Sequence, residues 1–439
     1  MHNPPPTPDL LPPGAAAPVS IPAPAASTIP SSSASYAARV NFVIELARRL
    51  HAYGTTAPRL EGAISAVAHT LRLECEPWSN PTGMILTFSD PQRPGDSDTT
   101  RVLRLPLGEN DLHRLSETDR IAEEVMADRL DLAAAHAAMR ALDRPPSPRA
   151  RAMQVLGYGL AATAIAGLLR LPWLDIGVSG INGLLIGLLV QASDMRPRLR
   201  EGLEAIAATL AASVAILVAS FVAPLNQNTV IIASLIVLLP GLALTNAVNE
   251  LTSQHLVSGT ARFAGAVTTV LKLAIGTVIA LYFADLLGLH PDVRAWRPQP
   301  VWVEWGALAL AAFAFAVLFR ADRRDYPKVM AAAAGGYLIS RFGGLAFGSP
   351  AGIFLAALVM TAAGNAYARW WQRPGAIIRV PGIIMLVPGS TSLRGLLTLL
   401  QQQDVNAGQD ALLAVLNILL ALIAGLVFGN LLLPTRRNL

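Results

Sequence analysis

Residues 240–262 read PGLALTNAVNELTSQHLVSGTAR, which sets Asn246, Asn249, Glu250, His255, Ser258 and Arg262 between two apolar stretches. The segment opens on a Pro-Gly pair, Pro240-Gly241. A second pair, Pro388-Gly389, sits in a later apolar stretch, with Ser390, Thr391, Ser392 and Arg394 behind it. Proline removes a helix donor and glycine loosens the backbone, so each pair frees main-chain groups that must be satisfied inside the protein. Freed amides and helix N-termini suit a carboxylate, freed carbonyls suit an ammonium or a cation, and a small zwitterion uses both. Paired interruptions at matching places in two halves point to the substrate site of a membrane carrier. The expected substrate-binding residues are Pro240, Gly241, Asn246, Asn249, Ser258 and Arg262 in the first half, and Pro388, Gly389, Ser390, Ser392 and Arg394 in the second.

Two more groups are candidates for proton coupling. Glu250 reads either as an acid that exchanges a proton or as half of an ion pair with Arg262 that closes a loop. Lys272 falls near the middle of an apolar segment, where a lysine costs roughly 2.5–3.5 kcal/mol on insertion. It should therefore face a cavity, as a carboxylate anchor or coupling group, or else pair with Asp175, Glu250 or Glu304. Asp175, Asp285 and Glu304 lie near segment ends and read as solvated helix-end charges. His51, Arg59, Glu61 and His69, spaced along helical faces, read as surface pairs rather than as a site.

The elements that position these groups follow from composition. Of 439 residues, 53% are hydrophobic and only 14% charged, against roughly 25% charged in a soluble protein. With a mean hydropathy of +0.46 and several apolar stretches near 20 residues long, the chain reads as a membrane protein. The net charge is +5, carried almost wholly by arginines that flank the apolar segments. That placement reads as topology and not as a nucleic-acid surface. A single cysteine, Cys75, rules out an internal disulfide and a multi-cysteine metal site. Neither Lys272 nor Lys328 follows glycine, which removes a Walker loop, and no HExxH occurs. Gly177-Val178-Ser179-Gly180 looks like a rhomboid-protease serine motif, but no apolar segment core carries the histidine base it needs. No enzymatic activity, cofactor or metal is expected.

Residues 1–35, rich in Pro, Ala and Ser, read as a disordered tail without a signal peptide. Residues 36–150 read as a small α+β domain. Its first two helices carry Phe42, Leu46 and Leu50, then Leu60, Ile64, Val67 and Leu71; strands follow at Gly83–Phe88 and Arg101–Leu107, then one charged helix over 110–142. Ten spans are expected, near 152–169, 173–191, 203–223, 229–248 and 262–284 in a first half (151–289), and near 301–319, 327–341, 350–367, 378–400 and 411–433 in a second (300–439). The seventh is short and glycine-containing. Arg196, Arg198, Arg200, Arg320, Arg323, Arg324, Lys328, Arg369, Arg373, Arg379, Arg436 and Arg437 fall on one side, against Arg170, Arg294, Arg297 and Arg341 on the other. The positive-inside rule then puts both termini in the cytoplasm. Five spans per half is odd, so similar halves become inverted repeats, each with a broken fourth helix and a mid-helix glycine (Gly276, Gly425) in the fifth. The expected fold is thus an α-helical polytopic membrane protein of two inverted five-helix repeats behind a small cytoplasmic α+β domain.

Three segments carry a resemblance to a known family. FVIELARRLHAYGTTAPRLEGAISAVAHTLRL (42–73), followed by PTGMILTF, looks like a cytoplasmic lead-in. LLPGLALTNAVNELTSQHLVSGTARFAGA (238–266) looks like a first-half signature and GNAYARWWQRPGAIIRVPGIIMLVPGSTSLRG (364–395) like a second-half one. Together they resemble the threonine/serine exporter family of bacterial inner-membrane proteins. The resemblance implies ten spans, a cytoplasmic N-terminal domain, and export of threonine and serine driven by protons, with the two parts fused in one chain. By motif, Pro240, Gly241, Glu250, Ser258, Gly259, Arg262, Pro381, Gly382, Pro388, Gly389 and Ser390 carry over without individual roles. Export of a small dicarboxylate such as succinate stays open, as does an enzyme or sensor built on the soluble domain. The expected partners are a small-molecule amino acid, protons and the bilayer, with no nucleic acid; a homo-oligomer is compatible with the sequence.

Overall fold

The computed structural model describes residues 31–92, 98–289, 292, 297–387, 389–402 and 405–434. Most of the expected disordered tail (1–30), the second-break proline Pro388, and Arg436 and Arg437 lie outside the described residues.

The N-terminal domain packs α1 (Tyr36–Ala52), α2 (Ala57–Thr70), α3 (Leu112–Met126) and α4 (Leu132–Ala141) around an antiparallel sheet, β1 (Glu74–Asn80), β2 (Gly83–Ser89) and β3 (Thr99–Arg104), in that spatial order. Its core joins Phe42, Leu46 and Leu50 of α1 to Leu60, Ile64 and Val67 of α2 and to Leu86 and Phe88 of β2. These are the i, i+3, i+4 and alternate positions that one buried face requires. The first strand was not foreseen: ECEPWSN carries a proline and alternating polar residues, which an edge strand tolerates. The single helix expected over 110–142 is two helices. The chain turns at Asp128, with φ at 51°, and Asp131 accepts from the Ala134 amide to cap α4. Ser31, assigned to the tail, is buried and anchored there, its amide donating to Asp128 and its hydroxyl to the Leu130 carbonyl.

The remaining helices are α5 (Pro148–Leu168), α6 (Trp173–Asp194), α7 (Pro197–Glu201), α8 (Leu203–Phe221), α9 (Gln227–Ser234), α10 (Gly241–Thr252), α11 (Leu256–Leu286), α12 (Val301–Leu318), α13 (Tyr326–Phe347), α14 (Ser349–Trp371), α15 (Ala376–Ile384), α16 (Gly389–Gln402) and α17 (Val405–Leu432). Eight stretches among the described residues are long and apolar enough to cross a membrane: α6, α8, α11, α12, α13, α14, α15 with α16, and α17. The other two expected spans correspond to α5 and to the divided pair α9 and α10. The seventh span is not short, since α13 runs 22 residues to Phe347. The fifth starts earlier than expected, at Leu256, and Lys272 still lies at the middle of the helix.

Small residues let these helices approach closely, as helix association in a lipid environment requires. Ala207, Ala208, Ala211, Ala212, Ala215 and Ala219 of α8 are all buried. A Cβ on Gly276 of α11 would collide with the Ala205 carbonyl at the start of α8, and one on Gly425 of α17 would collide with α14 at Phe354 and Ala357. On the opposite face of α17, Leu412, Leu416, Leu420 and Leu431 are exposed, an apolar surface suited to lipid.

Gly276→Ala should destabilise the protein by about 1–3 kcal/mol through overpacking. Gly265→Ala, in the same helix but with no atom near its added Cβ, should be neutral or stabilising by up to about 1 kcal/mol. Thermal unfolding of the two variants in detergent checks the opposite signs.

Candidate substrate site beside the two helix breaks

The first break begins earlier than the Pro-Gly pair. Helix α9 ends at Ser234, residues 235–239 turn, and Pro240 serves as the N-cap of α10. The second separates α15, which ends at Ile384, from α16, which starts at Gly389. The two breaks pack against each other. A Cβ on Gly241 would clash with Val387 and sit 3.4 Å from the Gly389 nitrogen. One on Gly389 would sit 3.0 Å from Leu239 Cβ and 3.3 Å from the Gly241 nitrogen. Only glycine permits this approach of backbone to backbone.

A cavity of about 350 Å³ lies between the broken helices and the N-terminal domain. Helix α10 presents Leu242, Thr245, Asn246, Asn249 and Ser253 to it, the face that i, i+3, i+4, i+7 spacing creates. Helix α15 contributes Ala376, Arg379, Val380 and Ile383 by the same spacing, and α17 adds Leu426 and Asn430. The N-terminal domain closes the remaining side with Thr55, Thr56, Pro58 and Arg59 at the start of α2, and with Asn110, Leu115 and Asp119. The site therefore joins α10, which follows the first break, to α15, which precedes the second.

Glu250 and Arg262 form an ion pair, with Arg262 Nε and Nη2 donating at 3.1 Å to the two carboxylate oxygens. Ser258 Oγ donates to Oε2 at 2.9 Å, and the backbone amide of Ala57 donates to Oε1 at 3.1 Å. Glu250 is fully buried. Thr56, the N-cap of α2, makes no side-chain cap bond, so this distant carboxylate satisfies the first amide of α2 in its place. Beside it, His255 Nε2 lies 3.0 Å from Glu61 Oε2, and Glu61 Oε1 accepts from Ser79. Elsewhere on the same interface the Leu112 amide donates to the Phe319 carbonyl at 2.9 Å and Arg373 donates to Ser116.

Several expectations need correction. Glu250 and Arg262 form the ion pair that was one of the two readings of Glu250, and Ser258 joins them, because a buried carboxylate demands its donors. Ser258 and Arg262, and with them Pro240, Gly241 and Gly389, are not among the described residues that line the cavity. Lys272 pairs with none of Asp175, Glu250 and Glu304. Its Nζ donates to the Glu201 carbonyl at 2.9 Å and lies 3.4 Å from Glu204, at the first turn of α8, where it is 39% exposed. Arg394 is exposed on α16, and Ser390 and Ser392 do not reach the cavity. Asp175 is fully buried, accepting from the amide and side chain of Asn226 at the start of α9. Glu304 is buried against Tyr337 and Arg341, while Asp285 is exposed. Ser179 of the protease-like motif donates to the Asp175 carbonyl within α6. Of the four polar residues singled out in the N-terminal domain, His51 bonds the Pro106 carbonyl, His69 is exposed, Glu61 meets His255, and only Arg59 faces the cavity.

Burial lowers the Arg59 guanidinium from its usual value to about 10. Thr245, Arg59, Arg379 and Asn430 were not foreseen as site residues. The helical spacing of Leu242, Thr245, Asn246, Asn249 and Ser253 was the one signal in the sequence for the α10 wall.

This fold and its cavity define a polytopic helical membrane protein with a polar domain seated over two broken helices. The chain belongs to the threonine/serine exporter family. A family model described as "Putative threonine/serine exporter" matches residues 41–284, and one described as "Threonine/Serine exporter, ThrE" matches residues 305–432. It is 23% identical over 333 residues to the "Probable threonine/serine exporter" of Mycobacterium tuberculosis, covering 73% of this chain and 62% of that protein. It is 24% identical over 380 residues to "Pheromone-regulated membrane protein 10" of Pichia sorbitophila, covering 83% of this chain and 38% of the relative. The Saccharomyces cerevisiae protein of that name is 23% identical, with 84% of this chain and 49% of the relative covered. The chain thus spans between 38% and 62% of the length of these relatives. No solved structure matches it.

Glu250→Ala and Arg262→Ala should each destabilise the protein by about 3–5 kcal/mol, because each leaves an unpaired buried charge, and the double variant should cost much less than their sum. A double-mutant cycle by thermal unfolding in detergent reads the coupling.

Proposed function

We propose that this protein exports small polar amino acids, threonine or serine, across a bacterial inner membrane in exchange for protons, with both termini in the cytoplasm. The observation that carries this reading is the cavity where α10 and α15 meet, lined by the hydroxyl of Thr245 and the amides of Asn246 and Asn249 beside two arginines. The side chains of Asn246 and Asn249 make no bond to other described residues, so their donors and acceptors remain for a ligand. The cavity has room for one small polar molecule and its water.

The proposed architecture is ten spans in two inverted repeats. In each half the fourth span is divided, and the fifth packs closely on the third through one glycine: Gly276 between α11 and α8, Gly425 between α17 and α14. An inverted pair of broken helices at one place in the membrane is the arrangement on which alternating access operates.

Glu250 is the proposed coupling acid. All four of the groups bonded to its oxygens are donors. Taking up a proton disrupts the Arg262 pair and loosens the seat of α2, which links protonation to access to the cavity beneath the soluble domain. Lys272, paired with Glu204, has a supporting place in this scheme, at the packing of α11 on α8. The substrate groups assigned to Arg262, Ser258, Ser390, Ser392 and Arg394 are reassigned to the cavity walls.

A dicarboxylate such as succinate is the second reading, favoured by the two arginines in the cavity wall. In proteoliposomes loaded with labelled threonine, an imposed proton gradient should accelerate efflux, and Glu250→Gln should abolish the acceleration. Counterflow of threonine against succinate separates the two substrates. Efflux of neither substrate, or efflux indifferent to the gradient, contradicts the proposal.

A further inference from the structure

Every described arginine that is not solvent-exposed bonds a carboxylate, a carbonyl or a hydroxyl, except Arg59 and Arg379. Arg59 lies in the first turn of α2 in the soluble domain, and Arg379 lies in α15 of the second half. Both are half-buried, both line the same cavity, and their positive charges act on each other across it. Neither makes a hydrogen bond or an ion pair with another described residue. Two like charges facing one enclosed space are unfavourable unless an anion completes the site.

The other walls narrow the ligand. Asp119, the acid among the described lining residues, has an interaction of its own. With it, the cavity keeps a net positive charge. Thr55, on the Arg59 side, has a hydroxyl oxygen that is buried with no partner among the described residues. Opposite stand the free amides of Asn246 and Asn249. A planar, forked guanidinium matches a carboxylate bidentately.

We infer that Arg59 and Arg379 together bind the carboxylate of the transported molecule, so that the N-terminal domain supplies part of the substrate site and is not only a cytoplasmic attachment. This rests on the cavity being the transport site. The hold of Glu250 on the Ala57 amide fixes the start of α2, and with it the position of Arg59 two residues further on. An amino-acid carboxylate and a dicarboxylate share the required chemistry.

The test is binding to the purified full-length protein in nanodiscs, by calorimetry with threonine, serine and succinate, and with threoninol, which lacks the carboxylate. Threonine or succinate should bind and threoninol should not. Arg59→Gln and Arg379→Gln should each weaken binding about 10- to 100-fold, as loss of a charge-assisted hydrogen bond does, with Arg59→Lys partly restoring it. A second measurement needs no variant. Phenylglyoxal modification of the wild-type protein, mapped by mass spectrometry, should be slowed by ligand at Arg59 and Arg379 but not at exposed Arg48. Arginine-dependent binding of succinate alone supports this site while removing the amino-acid reading. Threonine transport with unchanged binding by a folded Arg59→Gln variant removes this site while leaving that reading intact. Absence of binding by every carboxylate, equal binding of threoninol, or no protection of either arginine also overturns it.

Discussion

The Glu250 carboxylate is buried at the point where three helices meet, and it holds all of them: α10 carries it, α11 supplies Ser258 and Arg262, and α2 of the N-terminal domain supplies the Ala57 amide. Removing a carboxylate from water costs several kcal/mol, which is offset only when its oxygens are fully bonded. That demand ties the first helix break to the α11 turn and ties both to the N-terminal domain. Loss of any one partner leaves charge or dipole stranded. The relative placement of the two parts of the protein therefore depends on this carboxylate more than on the weaker surface contacts, such as Arg200 with Glu109.

The two helix breaks make sense in that setting. Each frees backbone that a continuous helix would satisfy, and each is packed against the other at glycines, so the interruptions face protein. The pieces on the side of the N-terminal domain, α10 and α15, diverge enough to leave a cavity between them. The N-terminal domain then closes that cavity with the start of α2 and with α3. A wall shared by three parts of the chain changes shape whenever any of them shifts.

Much of this was legible in the sequence, and the misses have physical causes. Apolar length and the Pro-Gly pairs gave away the membrane helices and their interruptions, because both follow from local chemistry. Glu250 and Arg262, twelve residues apart, could be read as partners or as ligands, and they are partners. Pairing across distant sequence was not readable. Lys272 finds Glu204 because α11 lies along α8, and Asp175 bonds Asn226 just before α9 because α6 begins beside it. Arg59 looked like a surface charge on an amphipathic helix, and nothing local shows that the membrane helices cover it. Arg379 registered only as one more positive charge at a helix end. Strand β1 was hidden by its proline and polar alternation, which suit a sheet edge and imitate a loop.

The central claim is that the cavity bounded by α2, α10 and α15 is where the transported molecule sits. The most direct measurement is a cryo-electron microscopy map of the protein in nanodiscs with saturating threonine, and a second with succinate. The account predicts ligand density among Arg59, Arg379 and Asn249 in at least one of the two maps. Ligand density elsewhere with this cavity empty in both would contradict it.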